Sequence, residues 1–439
     1  MSGEGNLPPR ETDLLQDKEN QNNEETGKKL KQEIIAGFTT FFTMSYILIV
    51  NPIILSAAGI PKEGIIFATA VSAAIATFIM GVYAGLPFAL APGMGLNAYF
   101  AYTVCGQMGI SWQTALTAVF LEGVIFLIMA LFGARKAIFK AIPPSLAYGI
   151  SSGIGLFIAL IGFKNSGIIT YDPNTLLKLG NIKSFESVVT LLSLILIAVL
   201  AKKKVSGSLL IGIIFSTLLA IVFGKAILPE SFFGFSEPSA AFQLDFHSIF
   251  SGAIVPIILT FLLVDIFDTV GTLSGLCARL GIPLSDKKIG RALTADAAGT
   301  TVGGLLGTST VTTYIESASG VASGGRTGIT AVTVAVLFLI SLFLYPLISA
   351  VPGFATSSAL IYVGAFMMAS LKRIDWNDPS ETLPAFVTLS AIPFTFSISD
   401  GMGLGFITYT AIKLISGRLQ DLNPLLILIT VIFSFKFFM

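Results

Sequence analysis

The sequence predicts an all-α polytopic membrane protein whose roughly fourteen transmembrane segments form two inverted seven-span repeats. Three observations predict it. Of 439 residues, 54% are hydrophobic and only 12% charged, with a mean hydropathy of +0.85, which is more apolar surface than a water-soluble fold encloses. Apolar runs of the length a helix needs to cross a bilayer, roughly 17 to 25 residues, recur from Ile34 to the C-terminus. A polar interval holding Pro229, Glu230, Pro238 and Asp245 then divides those runs into two equal series.

Residues 1–32 contain Asp17-Lys18-Glu19-Asn20 and Glu24-Glu25 and have no apolar stretch of the kind a secretory signal needs. They read as a disordered cytoplasmic tail. The first repeat, 33–225, places spans near 34–57, 65–85, 88–104, 112–133, 144–163, 185–201 and 207–225. After an extramembrane connection at 226–249, the second repeat, 250–439, places them near 250–271, 290–306, 308–322, 327–350, 356–371, 383–398 and 401–417. An odd number of spans per copy turns the second copy over in the membrane. The last apolar stretch, Leu425 to Met439, fits either a fifteenth span or an interfacial helix.

Cations in short loops are retained on the cytoplasmic side. They gather after the even-numbered spans: Arg135, Lys136 and Lys140; Lys202, Lys203 and Lys204; Arg279, Lys287 and Lys288; Lys372 and Arg373; Lys413 and Arg418. The N-terminus is therefore expected in the cytoplasm, although Lys164, Lys178 and Lys183 in the fifth connection run against the pattern. A net charge of +1 leaves no basic face for nucleic acid. Cys105 and Cys277 have neither disulfide nor metal-ligand spacing and read as small packing residues.

The third and tenth spans are irregular. Leu86-Pro87-Phe88-Ala89-Leu90-Ala91-Pro92-Gly93-Met94-Gly95-Leu96-Asn97-Ala98 predicts extended backbone over 88–91 and a half-helix starting near Pro92, with Gly93 and Gly95 in its first turn. Gly307-Thr308-Ser309-Thr310-Val311-Thr312-Thr313-Tyr314-Ile315-Glu316-Ser317 is β-branched and hydroxyl-rich, which predicts extended chain and a second half-helix starting near Ile315. Broken backbone at membrane depth is tolerated only within protein or beside a water-filled cavity. Two breaks at matching places point to one central site, with half-helix N-termini aimed at a polar ligand. Short helices kinked by Pro and Gly are the plainer reading of either break alone.

An acid at a helix centre costs roughly 2.5 to 3.5 kcal/mol to insert, so it needs a partner or a purpose. Asp265 and Asp268 are three residues apart, which puts them on one helical face, and Glu316 opens the second half-helix. Burial favours the protonated form of a carboxyl, so Asp265, Asp268 and Glu316 are candidates for proton coupling. Asn97, Asp265 and Glu316, with Thr313 and Tyr314, form a plausible set for pairing with the edge of a nucleobase, and Tyr99 or Tyr314 could stack on its ring. Asp268 has an equal structural reading, as a brace against Thr294. Glu122 and Asp296 read as structural, His247 as interfacial, and Arg326 as a cap on a cytoplasmic helix end.

Five stretches resemble the adenine/guanine/hypoxanthine permease family of the nucleobase-cation symporter-2 superfamily. They are Glu33 to Pro52 (EIIAGFTTFFTMSYILIVNP), Ala91 to Ala98 (APGMGLNA), Val264 to Gly271 (VDIFDTVG), Thr294 to Gly299 (TADAAG) and Gly307 to Ser319 (GTSTVTTYIESAS). The resemblance implies a core from 33–133 and 250–350, a gate from 140–225 and 356–439, and a site between them. It also implies proton symport of a purine nucleobase in a cell membrane, with membrane lipid as surroundings and pairing as a homodimer through the gate. Carried over by motif, Asn97, Asp265 and Glu316 match polar residues of the binding region, and Asp268 a further functional acid. No cofactor is expected beyond the coupling H+. The 32-residue polar lead departs from the family's usual start.

Two rivals remain at the level of residues. An anion carrier of the same architecture is disfavoured by three acids at the site, because anions favour cationic or dipolar pockets. An intramembrane aspartyl protease needs two convergent acids, and acids three apart on one helix do not face each other across a substrate.

Overall fold

The computed structural model describes residues 11–132, 143–247, 254–283 and 286–438. The first ten residues, Arg135, Lys136 and Lys140, and the expected start of the eighth span at 250 lie outside them. Helix α1 (Glu11–Met44) runs without interruption into the first span, so residues 11–32 are helical where an unfolded tail was expected. The physical reason is local: Glu, Gln, Lys and Leu are good helix formers, and a helix already nucleated by its membrane segment elongates at little cost. At Ser45-Tyr46 the chain turns before α2 (Ile47–Leu55) begins.

The first repeat continues with α3 (Lys62–Ile79), β1 (Leu90–Pro92), the short α4 (Met94–Ala98) passing into a π-helical stretch to Gln107, and α5 (Trp112–Leu131). It is completed by α6 (Pro144–Asn165), an antiparallel hairpin of β2 (Ile169–Asp172) and β3 (Leu176–Leu179), α7 (Phe185–Lys202) and α8 (Ser208–Val222). The second repeat follows the same order. It has α9 (Ile254–Leu280), α10 (Lys287–Leu306), β4 (Val311–Thr313), α11 (Ser317–Ala322) and α12 (Gly328–Ser341). After the short α13 (Tyr345–Ser349) come α14 (Ser357–Met367), α15 (Pro379–Thr395), α16 (Ile398–Ile415) and α17 (Pro424–Phe438). Among the described residues, seven helices are long and apolar enough to cross a membrane, α8, α12 and α17 are shorter apolar helices, and β1 and β4 sit at the third position of each repeat.

The helices pack as a core and a gate. In the core α5 and α3 lie on α10, and α1 lies on α12 and α11; in the gate α6 lies on α14 and α15, and α15 on α16. Backbones approach closely where α5 crosses α10: a side chain on Gly123 would meet Thr301 N at 2.6 Å, and one on Gly304 would meet Phe120 N at 2.8 Å. Glu33, buried at the head of the first span, accepts from the backbone N–H groups of Arg326 and Thr327 at 3.0 Å each and so ties α1 to the start of α12. The Arg326 guanidinium donates to Val321 O at 2.6 Å, capping the end of α11.

Helix α17 returns antiparallel along α16. Thr410 and Thr430 share a hydrogen bond of 2.9 Å, the Phe406 and Phe433 rings stack at 5.8 Å, and Lys436 reaches Asp400 in the first turn of α16 at 2.6 Å. The last apolar stretch therefore lies alongside a span along its length rather than flat at an interface.

Candidate functional site

The two irregular segments meet as an antiparallel pair, with Leu90 opposite Thr313, Ala91 opposite Thr312 and Pro92 opposite Val311. Proline has no N–H to offer a ladder, and Pro92 stands at the end of its strand, where the pairing is continued by Gly93 N–H donating to Thr310 O at 2.9 Å. At the other end Tyr314 N–H donates to Ala89 O at 2.9 Å. Side chains satisfy what the ladder leaves over: Ala89 N–H donates to Ser317 Oγ and Leu90 N–H to Thr77 Oγ1, both at 2.9 Å. Broken backbone thus sits at membrane depth with its polar groups met inside the protein.

This pairing moves both half-helix starts by two residues. Pro92 belongs to β1 and Gly93 is the extended residue before α4, which begins at Met94; Gly95 is within α4, against Ile154 of α6. Ile315 lies in a turn, and α11 begins at Ser317. Each strand claims residues for the ladder that local sequence assigns to a helix.

Four side chains come together beside the pair. Tyr46, in the turn that breaks the first span, donates its hydroxyl to Glu316 Oε1 at 2.7 Å, and Tyr314 donates its own to Pro92 O at 2.6 Å. Asp268 is exposed although it lies midway along α9, makes no hydrogen bond among the described residues, and is an electrostatic neighbour of Glu316. Below it on the same face, a side chain added at Gly271 would meet nothing within 4 Å, and one at Gly275 would meet only Ile315. This face of α9 is therefore uncovered, with Asp268 and the partly exposed Glu316 beside it.

The other expected site residues are buried. Asp265 is wholly buried, with Thr300 Oγ1 at 3.3 Å from its Oδ2. Thr313 donates to Asp296 Oδ1 at 2.9 Å. Asn97 is buried, accepts from the Ser309 hydroxyl through Oδ1, and has no acceptor for its amide nitrogen among the described residues. Tyr99 is buried edge-on to Phe261 at 5.0 Å, so its ring is covered. The expected brace between Asp268 and Thr294 is absent: Thr294 donates to Gly290 O of its own helix at 3.0 Å. Tyr46 was missed by sequence reasoning, and its signal was a phenol in the middle of an apolar span, next to Ser45.

No Lys or Arg pairs with Asp268 or Glu316 among the described residues. The wall is thus acidic, with phenols and hydroxyls around it, set between two unwound segments. A transport site, rather than a protease dyad, fits that arrangement, and comparison with known proteins agrees. The sequence model described as the Permease family, Xan_ur_permease, matches residues 31–404. The chain belongs to this permease family.

The permease is 50% identical over 420 residues to a putative permease of Methanocaldococcus jannaschii, covering 94% of this chain and 96% of that one. It is 43% identical over 420 residues to the guanine/hypoxanthine permease PbuO of Bacillus subtilis, covering 93% and 97%. It is also 42% identical over 419 residues to the adenine permease AdeP of Escherichia coli, covering 94% of each. These relatives place the permease in the adenine/guanine/hypoxanthine branch, as a multi-pass membrane transporter rather than an enzyme. Among solved structures, the transmembrane domain of the cyanobacterial bicarbonate transporter BicA superposes with a TM-score of 0.66 at 16% identity, covering 86% of this chain and 97% of that one. The murine Solute Carrier 26 family member A9 anion transporter gives 0.65 at 12% identity, covering 88% and 68%. The permease shares their inverted-repeat fold.

Proposed function

We propose that the permease imports purine nucleobases (hypoxanthine, guanine and/or adenine) across the cytoplasmic membrane by proton-coupled alternating access, with its N-terminus in the cytoplasm. The observation that carries this reading is the pair Asp268 and Glu316 on one uncovered face beside two unwound segments, with no cation paired to either among the described residues, a face that we read as the wall of a substrate chamber. A purine edge offers ring N–H, exocyclic amine and carbonyl groups, and a carboxyl group can pair with two of them at once. Guanine/hypoxanthine and adenine permeases among the relatives support the same cargo.

In this mechanism Asp268 takes the substrate-facing place first expected of Asp265. Protonation from outside neutralises Asp268 or Glu316, the purine bridges the two, and the core moves against the gate until the chamber opens on the other side. Tyr46 holds the Glu316 carboxyl in position. Asn97, with its unmatched amide nitrogen, stays in the proposed set as a donor, while Thr313, committed to Asp296, does not. Membrane lipid, and a second copy against the gate, are the partners of this reading.

Anionic cargo fits the solved neighbours but not this wall, since two carboxyls without a cation repel an anion. The test is uptake of labelled hypoxanthine by purine-transport-deficient cells carrying the permease, at two external pH values with and without sodium. Uptake that rises at the lower pH, ignores sodium, and is blocked by excess guanine but not by sulfate is the expected result. Competition by sulfate, or uptake that needs sodium, overturns it.

A further inference from the structure

A second group of acids lies behind the chamber, and purine binding does not use it. Glu122 of α5, Asp265 of α9 and Asp296 of α10 are each wholly buried. Their surroundings differ. Asp296 is satisfied, accepting from Thr269 at 2.7 Å and Thr313 at 2.9 Å. Asp265 has only Thr300, at 3.3 Å, and that hydroxyl has a single hydrogen which Val311 O also claims, at 2.9 Å. Among the described residues, neither oxygen of Glu122 nor Oδ1 of Asp265 has a hydrogen bond of good geometry. The side chains that face Glu122 are Asp265 and the Thr310 hydroxyl, and Asp265 in turn faces Glu122.

Two carboxylates only accept, so a hydrogen bond between them requires a proton on one. Two like charges in contact and sealed from water do not persist together. Among the described residues, the titratable groups that face the pair from the packed elements are themselves acids, namely Asp268 on α9 and Asp296 on α10.

We infer that Glu122 and Asp265 share one proton, and that this neutral pair holds strand β4 in place through Thr300 without releasing the proton during transport. Thr300 carries the connection, because its hydroxyl touches Asp265 and both the N–H and C=O of Val311. The pair is a positioning device, distinct from the two acids that face the chamber, and the inference holds whichever cargo the permease carries.

The test joins infrared spectroscopy of the purified full chain at neutral pH to uptake. In Glu122→Gln the amide supplies a permanent donor to Asp265, so the proton is no longer needed. The expected result is loss of one protonated-carboxyl C=O band relative to the parent, with uptake and its pH profile unchanged. The mirror variant Asp265→Asn removes the same band, which keeps the spectroscopic arm readable if one of the two fails to fold. Glu122→Leu, which supplies no donor, melts at a lower temperature than Glu122→Gln. Superimposable parent and variant spectra overturn the shared proton. A shifted pH profile in Glu122→Gln overturns the claim that the proton stays. Failure of the purine reading alone would leave the band and its loss untouched.

Discussion

In the gate, Lys413 reaches Glu381 at 2.6 Å and Asp421 at 3.1 Å, Arg418 reaches Asp378 at 2.5 Å, and Lys436 reaches Asp400 at 2.6 Å. In the core, Glu122, Asp265, Asp268, Asp296 and Glu316 have hydroxyls or another carboxyl for company, and none forms an ion pair among the described residues. The two regions have similar helices but opposite electrostatics. An acid beside a cation is held ionised and fixes packing, whereas an acid without one is free to take a proton or a ligand. On the function proposed above, ligand work falls to the core and bracing to the gate.

The largest expected effect lies at the chamber. Asp268→Asn or Glu316→Gln should reduce accumulation of labelled hypoxanthine to background while membrane expression stays at the parental level. Normal accumulation in both would break the comparison, because cation-free acids would then have no transport role.

Next in size is Lys413→Met. Lys413 is 1% exposed, and its removal leaves two acids without their cation. Breaking a fully buried pair costs about 3 to 5 kcal/mol. Because Glu381 and Asp421 keep 24% and 37% of their side-chain exposure, about 2 kcal/mol is the better expectation once solvent screening is allowed for. A lowered melting temperature in detergent, partly restored by adding Glu381→Gln, would sharpen the contrast.

Tyr46→Phe removes the one hydroxyl among the described residues that donates to Glu316. A hydrogen bond to a charged group contributes roughly 1.5 to 3 kcal/mol when fully used. Partial replacement by water in an open chamber brings the expected loss nearer 1 kcal/mol, or about a fivefold rise in the half-saturating hypoxanthine concentration. An unchanged value would mean that Glu316 is positioned by its backbone alone.

The smallest effect concerns pH at the gate. The Arg418 guanidinium beside Asp378 holds that carboxyl down at about 2, below its ordinary value of about 3.9. A depressed folded-state value stabilises the fold above the unfolded-state value, and the gain is lost as pH falls through the window between them. Asp378→Asn should therefore lower the melting temperature slightly at pH 7 and make no difference near pH 2. Equal shifts at both values would show that the cap on α15, not the ion pair, is what matters.

Much of this was legible in the residues. Span positions came from hydropathy, and both broken segments came from Pro92 and from the β-branched run at Val311 to Thr313. These are local signals, readable without a fold. The helical lead at 11–32 was not legible, because a solvated charged segment adjoining a membrane helix carries the same composition whether or not it continues that helix. Pairing of Glu122 with Asp265 was equally hidden, since it joins helices 143 residues apart in sequence.

By itself, then, the sequence determined a many-span membrane protein broken twice, with acids near the breaks, because those properties are summed over neighbouring residues. Tertiary structure alone decided where each acid lies and what it touches. Asp265 and Asp268 are separated by about 60° around one helix, a difference that means nothing until α5 and α10 seal one side and the chamber opens on the other. It also decided that Tyr46 meets Glu316 across 270 residues of chain, because packing places groups by the surfaces they share and not by their order in the chain.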